Sequence, residues 1–468
     1  MMKVSVIGTG YVGLVSGVCL ASLGHQVVCV DVDPDKVERI NAGDPPIYEE
    51  GLEDLLSKTV GRTLHATSDL RRAVLDSEIS LIAVGTPFDG AAIDLTFIRA
   101  AAAEIGAVLR EKAGYHTVVV KSTVVPGTTE DVVLPILEEA SGKRAGADFG
   151  VGMNPEFLKE GEAIADFMNP DRIVLGGIDA RSIAALEALY AVFPEVEKIA
   201  TTPRTAEMIK YTANALLATL ISFSNEIGNL CARVGVDVVE AMAGVHADKR
   251  FSPILEDGSR IRPGFLSYLA AGCGFGGSCF PKDVKALIAY GKSADAPMDL
   301  LDAVIRVNEA QPEKMLGMLK RHYADITGRR VAVLGMAFKP GTDDIRESPA
   351  LPVTQSLLDE QAIVTCYDPI ARHEAEKVFG DQVLFHEDLD EAIAGVDAIL
   401  IMTRWQHFDA LPAMLRDVAD PPLVIDGRRM LEKTALPRYE GIGLRSRMGH
   451  AAILISHSSW AWVCVGIL

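Results

Sequence analysis

Six short apolar runs, "KVSVIG", "QVVCVDVD", "ISLIAVGTP", "HTVVVKSTV", "FGVGMNPE" and "RIVLGG", punctuate the first 180 or so residues, with helix-like stretches between them. They are rich in β-branched residues and do not alternate strictly, the pattern of strands buried on both faces, which predicts a parallel sheet covered by helices. A different pattern opens at "TTPRTAEMIKYTANALLATLISFSNEIGNLCARVGVD". Thr202 can cap a helix, Pro203 fits its first position and Gly235 ends it, so a helix of about 30 residues is expected. That length suits a spine between domains, and Lys210 and Asn214, four apart, share one face of it. A second α/β unit follows in "GRRVAVLGMAF", "AIVTCYDP", "DAILIMT" and "PLVIDGR", repeating the opening architecture weakly.

The chain has 468 residues, of which 49% are hydrophobic and 23% charged, enough for several domains with substantial cores. A net charge of −19 repels polyphosphates and argues against nucleic-acid or membrane partners. It leaves room for a small phosphate-bearing ligand held by a few local cations and backbone N–H groups. Cys19, Cys29, Cys231, Cys273, Cys279, Cys366 and Cys464 form an odd, dispersed set without a Cys-x-x-Cys pair or a nearby histidine pair, so no metal is expected. Met1 runs straight into an apolar strand with no room for a signal peptide, and the expected compartment is the reducing cytoplasm. The last 18 residues, "AAILISHSSWAWVCVGIL", are apolar but interrupted by His457 and three serines, which suits a docked or poorly ordered tail better than a membrane anchor.

"VSVIGTGYVGLVSG" places Gly8, Gly10 and Gly13 in G-x-G-x-x-G spacing between a strand and a helix, the turn that receives a dinucleotide pyrophosphate. Asp31 ends the next strand at the offset where a carboxylate accepts ribose hydroxyls and repels a 2′-phosphate, favouring NAD, and Lys36 lies near the adenosine end. In the second unit Gly335 is followed by Met336, Ala337 and Phe338, so the two units share a fold and differ in ligand.

"GCGFGGSCFPKD" sets Cys279 beside Lys282 and Asp283, after Gly274, Gly276 and Gly277, whose missing side chains would let a substrate reach the backbone. Neighbouring cations would lower the thiol pKa, making Cys279 a candidate nucleophile, with a packed thiol or a redox pair with Cys273 as the alternatives. "KSTVVPGTT" puts Thr123 at a strand end, and "MNPEFLKEG" adds Glu156 and Glu160, where ligands of doubly wound sheets gather.

From about residue 1 to 430, "GFGGSCFPKD", "NPEFLKEG", "MIKYTANA" and "FKPGTDDIRESP" resemble the nucleotide-sugar 6-dehydrogenase family. The resemblance implies an α/β fold of two Rossmann-like doubly wound domains joined by a long central helix and a helical dimerisation region. The corresponding divisions are an NAD-binding domain over 1–200, a helical domain with the cysteine loop over 201–300, a nucleotide-sugar-binding domain over 301–435 and a tail of uncertain structure over 436–468. It also implies two successive NAD-dependent oxidations of one primary alcohol, with Cys279 holding the carbon as a thiohemiacetal and then as a thioester that water hydrolyses.

By the same resemblance Lys210 and Asn214 hold the developing oxyanion, and Asp283 holds a water and assists proton transfer. Thr123 and Glu156 support thioester hydrolysis, and Glu160 sits between substrate and nicotinamide. NAD contacts are implied for the glycine turn with Tyr11 and Val12, for Asp31, Lys36, Thr86 and Thr123, and for Glu160, Lys282 and Arg346. The nucleotide sugar is expected along Glu156, Phe157, Leu158, Lys159 and Glu160, beside Lys210 and Asn214. It is expected too along Tyr268, Leu269, Ala270, Ala271 and Gly272, and at Gly276 and Lys339. Arg250 in "ADKRF" resembles an arginine that reaches the neighbouring subunit's site, which implies a homodimer.

Within the family, "EGEAIADFMNPDRIVLGG" resembles the branch acting on UDP-glucose, whose product is UDP-glucuronate, while "DSEISLIAVGTP" and "SGKRAGADFGVGMNPEFL" also resemble the GDP-mannose branch. UDP-N-acetylmannosamine is the third alternative. A single-oxidation hydroxyacid-type dehydrogenase would need neither the cysteine nor the second unit, and a non-enzymatic NAD sensor would bind NAD and turn over no nucleotide sugar. Three positions depart from the family pattern: Arg429 where asparagine is usual, Arg404 where an acidic or neutral residue is common, and Leu220 where a basic one is frequent. They bear on base and sugar selectivity or on subunit packing, and Cys273 is incidental.

Overall fold

The computed structural model describes residues 1–445. Its first sheet comprises β1 (Lys3–Ile7), β2 (Gln26–Val30), β3 (Leu64–Thr67), β4 (Ile79–Ile82), β5 (Thr117–Val120), β6 (Gly150–Met153), β7 (Arg172–Gly177) and β8 (Glu197–Thr201). The spatial order is β3-β2-β1-β4-β5-β6-β7-β8, parallel throughout except between β6 and β7. The first six strands thus follow the doubly wound dinucleotide-binding order. Every residue of β4, β5 and β6 is buried, which accounts for their unbroken apolar sequence.

The six runs read from the sequence are β1, β2 and β4 to β7. The reading missed β3 and β8. β3 lies at one edge with only two buried residues, and β8 at the other with none, so neither carries the signature of a doubly buried strand.

Helix α1 (Tyr11–Ser22) leaves the glycine turn, and the spine is α2 (Pro203–Val234). Thr202 caps α2 by accepting from the Thr205 N–H, and Gly235 closes it in the left-handed region at φ 82°. Helices α3 (Phe280–Ser293) and α4 (Asp299–Glu309) pack on α2, burying Tyr211, Ala215, Val284, Leu287 and Val304 together, and α5 (Gln311–His322) follows. One 18-residue window of α2 has a mean hydropathy of 1.2, enough in length and composition for a membrane span. Its distribution is inverted, however: Glu207, Lys210, Asn214 and Asn225 are buried, while Met208, Leu216, Phe223 and Leu230 are 39%, 57%, 50% and 55% exposed.

The second sheet is built from β9 (Arg330–Leu334), β10 (Ile363–Tyr367), β11 (Leu384–Phe385), β12 (Ala398–Ile401), β13 (Leu423–Asp426) and β14 (Tyr439–Gly441). All its ladders are parallel and its order is β11-β10-β9-β12-β13-β14, the same topology as the first six strands, so the repeat that is weak in sequence is complete in topology. β14 falls in the stretch expected as tail. Residues 446–468, with Cys464 and the apolar terminal run, lie outside the described residues.

Candidate active site

The glycine turn divides its labour. A Cβ on Gly8, at φ 99°, would lie 2.7 Å from the Ala83 carbonyl oxygen, and one on Gly13 would lie 2.0 Å from the Gly8 oxygen, so both serve packing. A Cβ on Gly10 would meet nothing within 4 Å. The first turn of α1 has no side-chain cap and no acidic residue, which leaves its N–H groups available to a pyrophosphate. Asp31 accepts from the Thr9 N–H at 2.9 Å, the Thr9 hydroxyl at 2.5 Å and the Asp33 N–H at 3.0 Å. Burial pushes this carboxyl up but is outweighed by those bonds and by Lys36, leaving it below its ordinary value and ionised. These features fit NAD. Val12 is half-buried in the same turn, and Thr86 donates to the Thr123 carbonyl at 2.8 Å, joining the ends of β4 and β5.

Three segments converge on Cys279. From α2, Lys210 pairs with Glu156 at 2.8 Å, and Asn214, one turn on, donates to Asp283 at 2.7 Å. From α3, Asp283 also accepts from Lys282 at 2.7 Å. Cys279 is the residue preceding α3, with its Sγ 3.6 Å from the Ser278 hydroxyl. Lys210, Glu156, Asn214 and Asp283 are all buried. Burial works against the Lys210 ammonium, but Glu156, Cys279 and Asp283 hold it above its ordinary pKa. Burial likewise opposes the Glu156 carboxylate, and Lys210, the Leu158 N–H and Lys121 hold it below.

Two expectations need correction. The Cys279 thiol is not acidified. Burial pushes it up to about 11, and Lys210 and Ser278 recover only part of that while Glu156 and Asp283 add to it. The glycines before it do not clear a path to the backbone either. A Cβ on Gly276 would stand 2.2 Å from the Glu347 carbonyl oxygen, one on Gly277 2.8 Å from the Phe338 ring and one on Gly274 3.0 Å from Asn308. Their bareness lets the loop pack on the second unit and on α4.

Gly161 makes the matching contact from the other side. At φ 82°, its Cβ would lie 2.3 Å from the Gly341 oxygen. Just before it, Glu160 accepts from Ser278 at 2.8 Å and lies 3.6 Å from Arg346, which is bound to Asp344. Burial and the neighbouring Asp344 push the Glu160 carboxyl well above its ordinary value, while Ser278 and Arg346 oppose the rise.

The remaining expected residues are placed less uniformly. Phe157 lies under the Arg172 guanidinium at 4.0 Å, with the Lys210 ammonium at 5.5 Å, and Leu158 and Lys339 are half-buried. Lys159 is half-exposed and pairs with Glu162 at 2.5 Å, a surface contact. In the 268–272 segment, Leu269, Ala271 and Gly272 are buried, Tyr268 is half-buried against Phe280 and Ala270 is exposed. The Arg250 side chain is 80% exposed and bonded to its own Asp248. Tyr11 does not present a free hydroxyl: it donates to Glu49 and accepts from the Gly161 N–H at 3.0 Å. Cys273 is fully buried with its thiol toward the Met402 carbonyl, a packed thiol.

Several supporting residues were missed. Glu49 accepts from the Gly161 N–H at 2.6 Å and the Ala163 N–H at 2.7 Å, fixing the loop that carries Glu156 and Glu160. Asn225 and Gln311 bind the N–H and carbonyl of Gly272, each at 2.7 Å, and Asn308 exchanges bonds of 2.8 and 3.0 Å with Phe275. Asn225 continues the polar face of α2 that begins at Lys210, and that spacing was the available signal. Arg428 donates to the Gly274 carbonyl at 2.9 Å, and its buried Nη2 has no partner among the described residues.

Residues 2–194, 204–310 and 332–433 match the NAD binding, central and UDP binding domains of the UDP-glucose/GDP-mannose dehydrogenase family. A UDP-glucose 6-dehydrogenase of Haloferax volcanii is 43% identical over 94% of this chain and 100% of its own length. A GDP-mannose 6-dehydrogenase of Pseudomonas putida is 40% identical over 88% of this chain and 93% of its own. Among solved structures, a UDP-glucose dehydrogenase from the archaeon Pyrobaculum islandicum superposes with a TM-score of 0.86 at 41% identity, covering 95% of this chain and 98% of that one. With a dinucleotide turn, a second nucleotide-binding sheet and likeness along nearly its whole length, the chain belongs to the UDP-glucose/GDP-mannose dehydrogenase family and uses NAD.

Proposed function

We propose that this enzyme oxidises the C6 primary alcohol of UDP-glucose to the carboxylate of UDP-glucuronate, with Cys279 holding the carbon between two oxidations. The observation that carries the reading is the buried convergence of Lys210, Glu156, Asn214 and Asp283 on the start of α3, where Cys279 sits. A single-oxidation dehydrogenase has no use for a thiol there. NAD, when bound, supplies the hydride acceptor for each oxidation. Lys210 and Asn214 stabilise negative charge on the sugar oxygen. The Cys279 sulfur bonds to the aldehyde carbon as its proton passes to the carbonyl oxygen, giving a thiohemiacetal. Oxidation of that carbon, with loss of the hydroxyl proton, leaves a thioester. Water then adds, Glu156 takes its proton with Thr123 completing the water network, the carbon–sulfur bond breaks and the thiol is restored beside a carboxylate. Asp283 holds a water next to Lys210, and Glu160 lies between sugar and nicotinamide.

The relatives acting on UDP-glucose support that substrate, with residues 157–160 and 268–272, Gly276, Lys339 and Arg428 as its holders. We further propose the functional division at 1–200, 201–300 and 301–435, and a dimer across the exposed apolar stripe of α2, from which Arg250 reaches the partner's site. The test is a panel of UDP-glucose, UDP-galactose, UDP-N-acetylmannosamine and GDP-mannose with NAD, read by NADH absorbance. UDP-glucose should give the highest kcat/KM and two NADH per sugar. One NADH with free aldehyde, or a preference for GDP-mannose, would refute the reading.

A further inference from the structure

Lys121 follows β5 directly, two residues before Thr123, and is only 3% exposed. Its ammonium donates to Asn154 Oδ1 at 2.8 Å and lies 3.5 Å from the Tyr190 hydroxyl. That hydroxyl also donates to Asn154 Oδ1, at 2.5 Å, while Asn154 Nδ2 donates to the Val174 carbonyl at 2.9 Å, which fixes the amide. Among the described residues Lys121 makes no direct ion pair. Buried ammonium groups are ordinarily paired. The charges acting on it are Glu156, from the loop after β6, and Lys210, from α2, and these two are already bonded to each other. The third titratable neighbour, Tyr190, is raised by burial and stays neutral. Two buried cations, Lys210 in direct contact and Lys121 without it, thus act on one buried carboxylate.

A cavity of about 200 Å³ lies beside this group, lined by Lys121, Asn154, Glu156, Arg172 and Tyr190 and reaching exposed Asn169 and Asp171. Neither Lys210 nor the glycine turn lines it.

We propose that Lys121 is a positioning residue for Glu156, its buried charge keeping that carboxylate ionised through thioester hydrolysis while the cavity connects the pair to solvent. The inference rests on the hydrolytic role proposed above for Glu156. Burial pulls the Lys121 ammonium down, Glu156 pulls it up and Lys210 down, leaving it at about 8 and charged at neutral pH.

The test uses the full-length enzyme with Lys121→Ala, following NADH in the pre-steady state and the acyl adduct on Cys279 by intact mass. Both oxidations should proceed while hydrolysis on the acid limb slows by up to roughly tenfold, so that an NADH burst precedes a slow phase there and the adduct accumulates. Removing a cation raises the Glu156 pKa, so the acid limb of the hydrolysis rate should move up by about one pH unit. n-Propylammonium, entering through the cavity, should restore the rate and return the limb, and neutral n-propanol should not. If the alanine variant fails to fold, Lys121→Met keeps the stem and removes the charge. An unmoved acid limb, or equal rescue by the alcohol, overturns the proposal. Wild type assayed in parallel separates the two readings: two NADH per sugar with an unmoved variant limb sinks only the role of Lys121. One NADH and free aldehyde from wild type sinks the hydrolytic reading and this inference with it.

Discussion

A thiol held up to about 11 is a weak nucleophile until its proton leaves, and Cys279 rests in that state because burial outweighs Lys210. Alkylation of Cys279 by iodoacetamide should therefore climb roughly tenfold per pH unit from about pH 7 to about pH 9. A plateau already reached near neutrality would mean a thiolate at rest. Cys279→Ser should give no more than one NADH per sugar, and full uronate production by that variant would exclude the covalent route. Arg429 shows how a departure from the family pattern becomes legible only in three dimensions. It adopts φ 49°, a left-handed conformation that asparagine tolerates better, and binds Asp237 at 2.9 and 3.0 Å and the Ile442 carbonyl at 2.9 Å. Arg429→Ala should cost about 3 kcal/mol in urea unfolding, the low end for a broken buried pair, because Lys433 stays with Asp237 at 2.9 Å. Leu220 packs against the core of the second sheet, which accounts for its apolar character, whereas the structure offers no reason for exposed Arg404.

Among the elements, α2 was readable to the residue because its cap, its opening proline and its closing glycine each leave a local mark. The edge strands β3, β8, β11 and β14 leave none, being short and buried on one face at most or paired along one side only. The glycines were visible in sequence, but what faces them was not, and two substitutions separate the two kinds. Gly10→Ala meets open space, so the melting temperature should hold while KM for NAD rises at least roughly tenfold, the effect of losing about one good contact. Gly276→Ala drives a Cβ into the Glu347 carbonyl and should cost about 1–3 kcal/mol of stability even without ligand. The reverse pattern would mean that Gly10 packs and Gly276 does not.

At the scale of the molecule, two sheets that share a six-strand order, the first extended by β7 and β8, accompany a helix that buries Glu207, Lys210, Asn214 and Asn225 and exposes an apolar stripe. The dimer was expected from family resemblance alone; the stripe of Leu216, Phe223 and Leu230 supplies a physical motive for it. Phe223→Glu with Leu230→Glu should convert the sedimenting species to a monomer and raise KM for the sugar by removing the partner's arginine. A dimer that survives both charges would place the interface elsewhere.

The contact between Gly161 and Gly341 joins the two nucleotide-binding units main chain to main chain. A side chain at residue 161 could not enter this joint without moving the main chain of the second unit. A nucleotide-binding unit grafted from a relative would have to reproduce this joint together with the Glu160–Arg346 and Arg428–Gly274 contacts that cross the same boundary, so nucleotide preference and the cysteine loop are inherited as one surface.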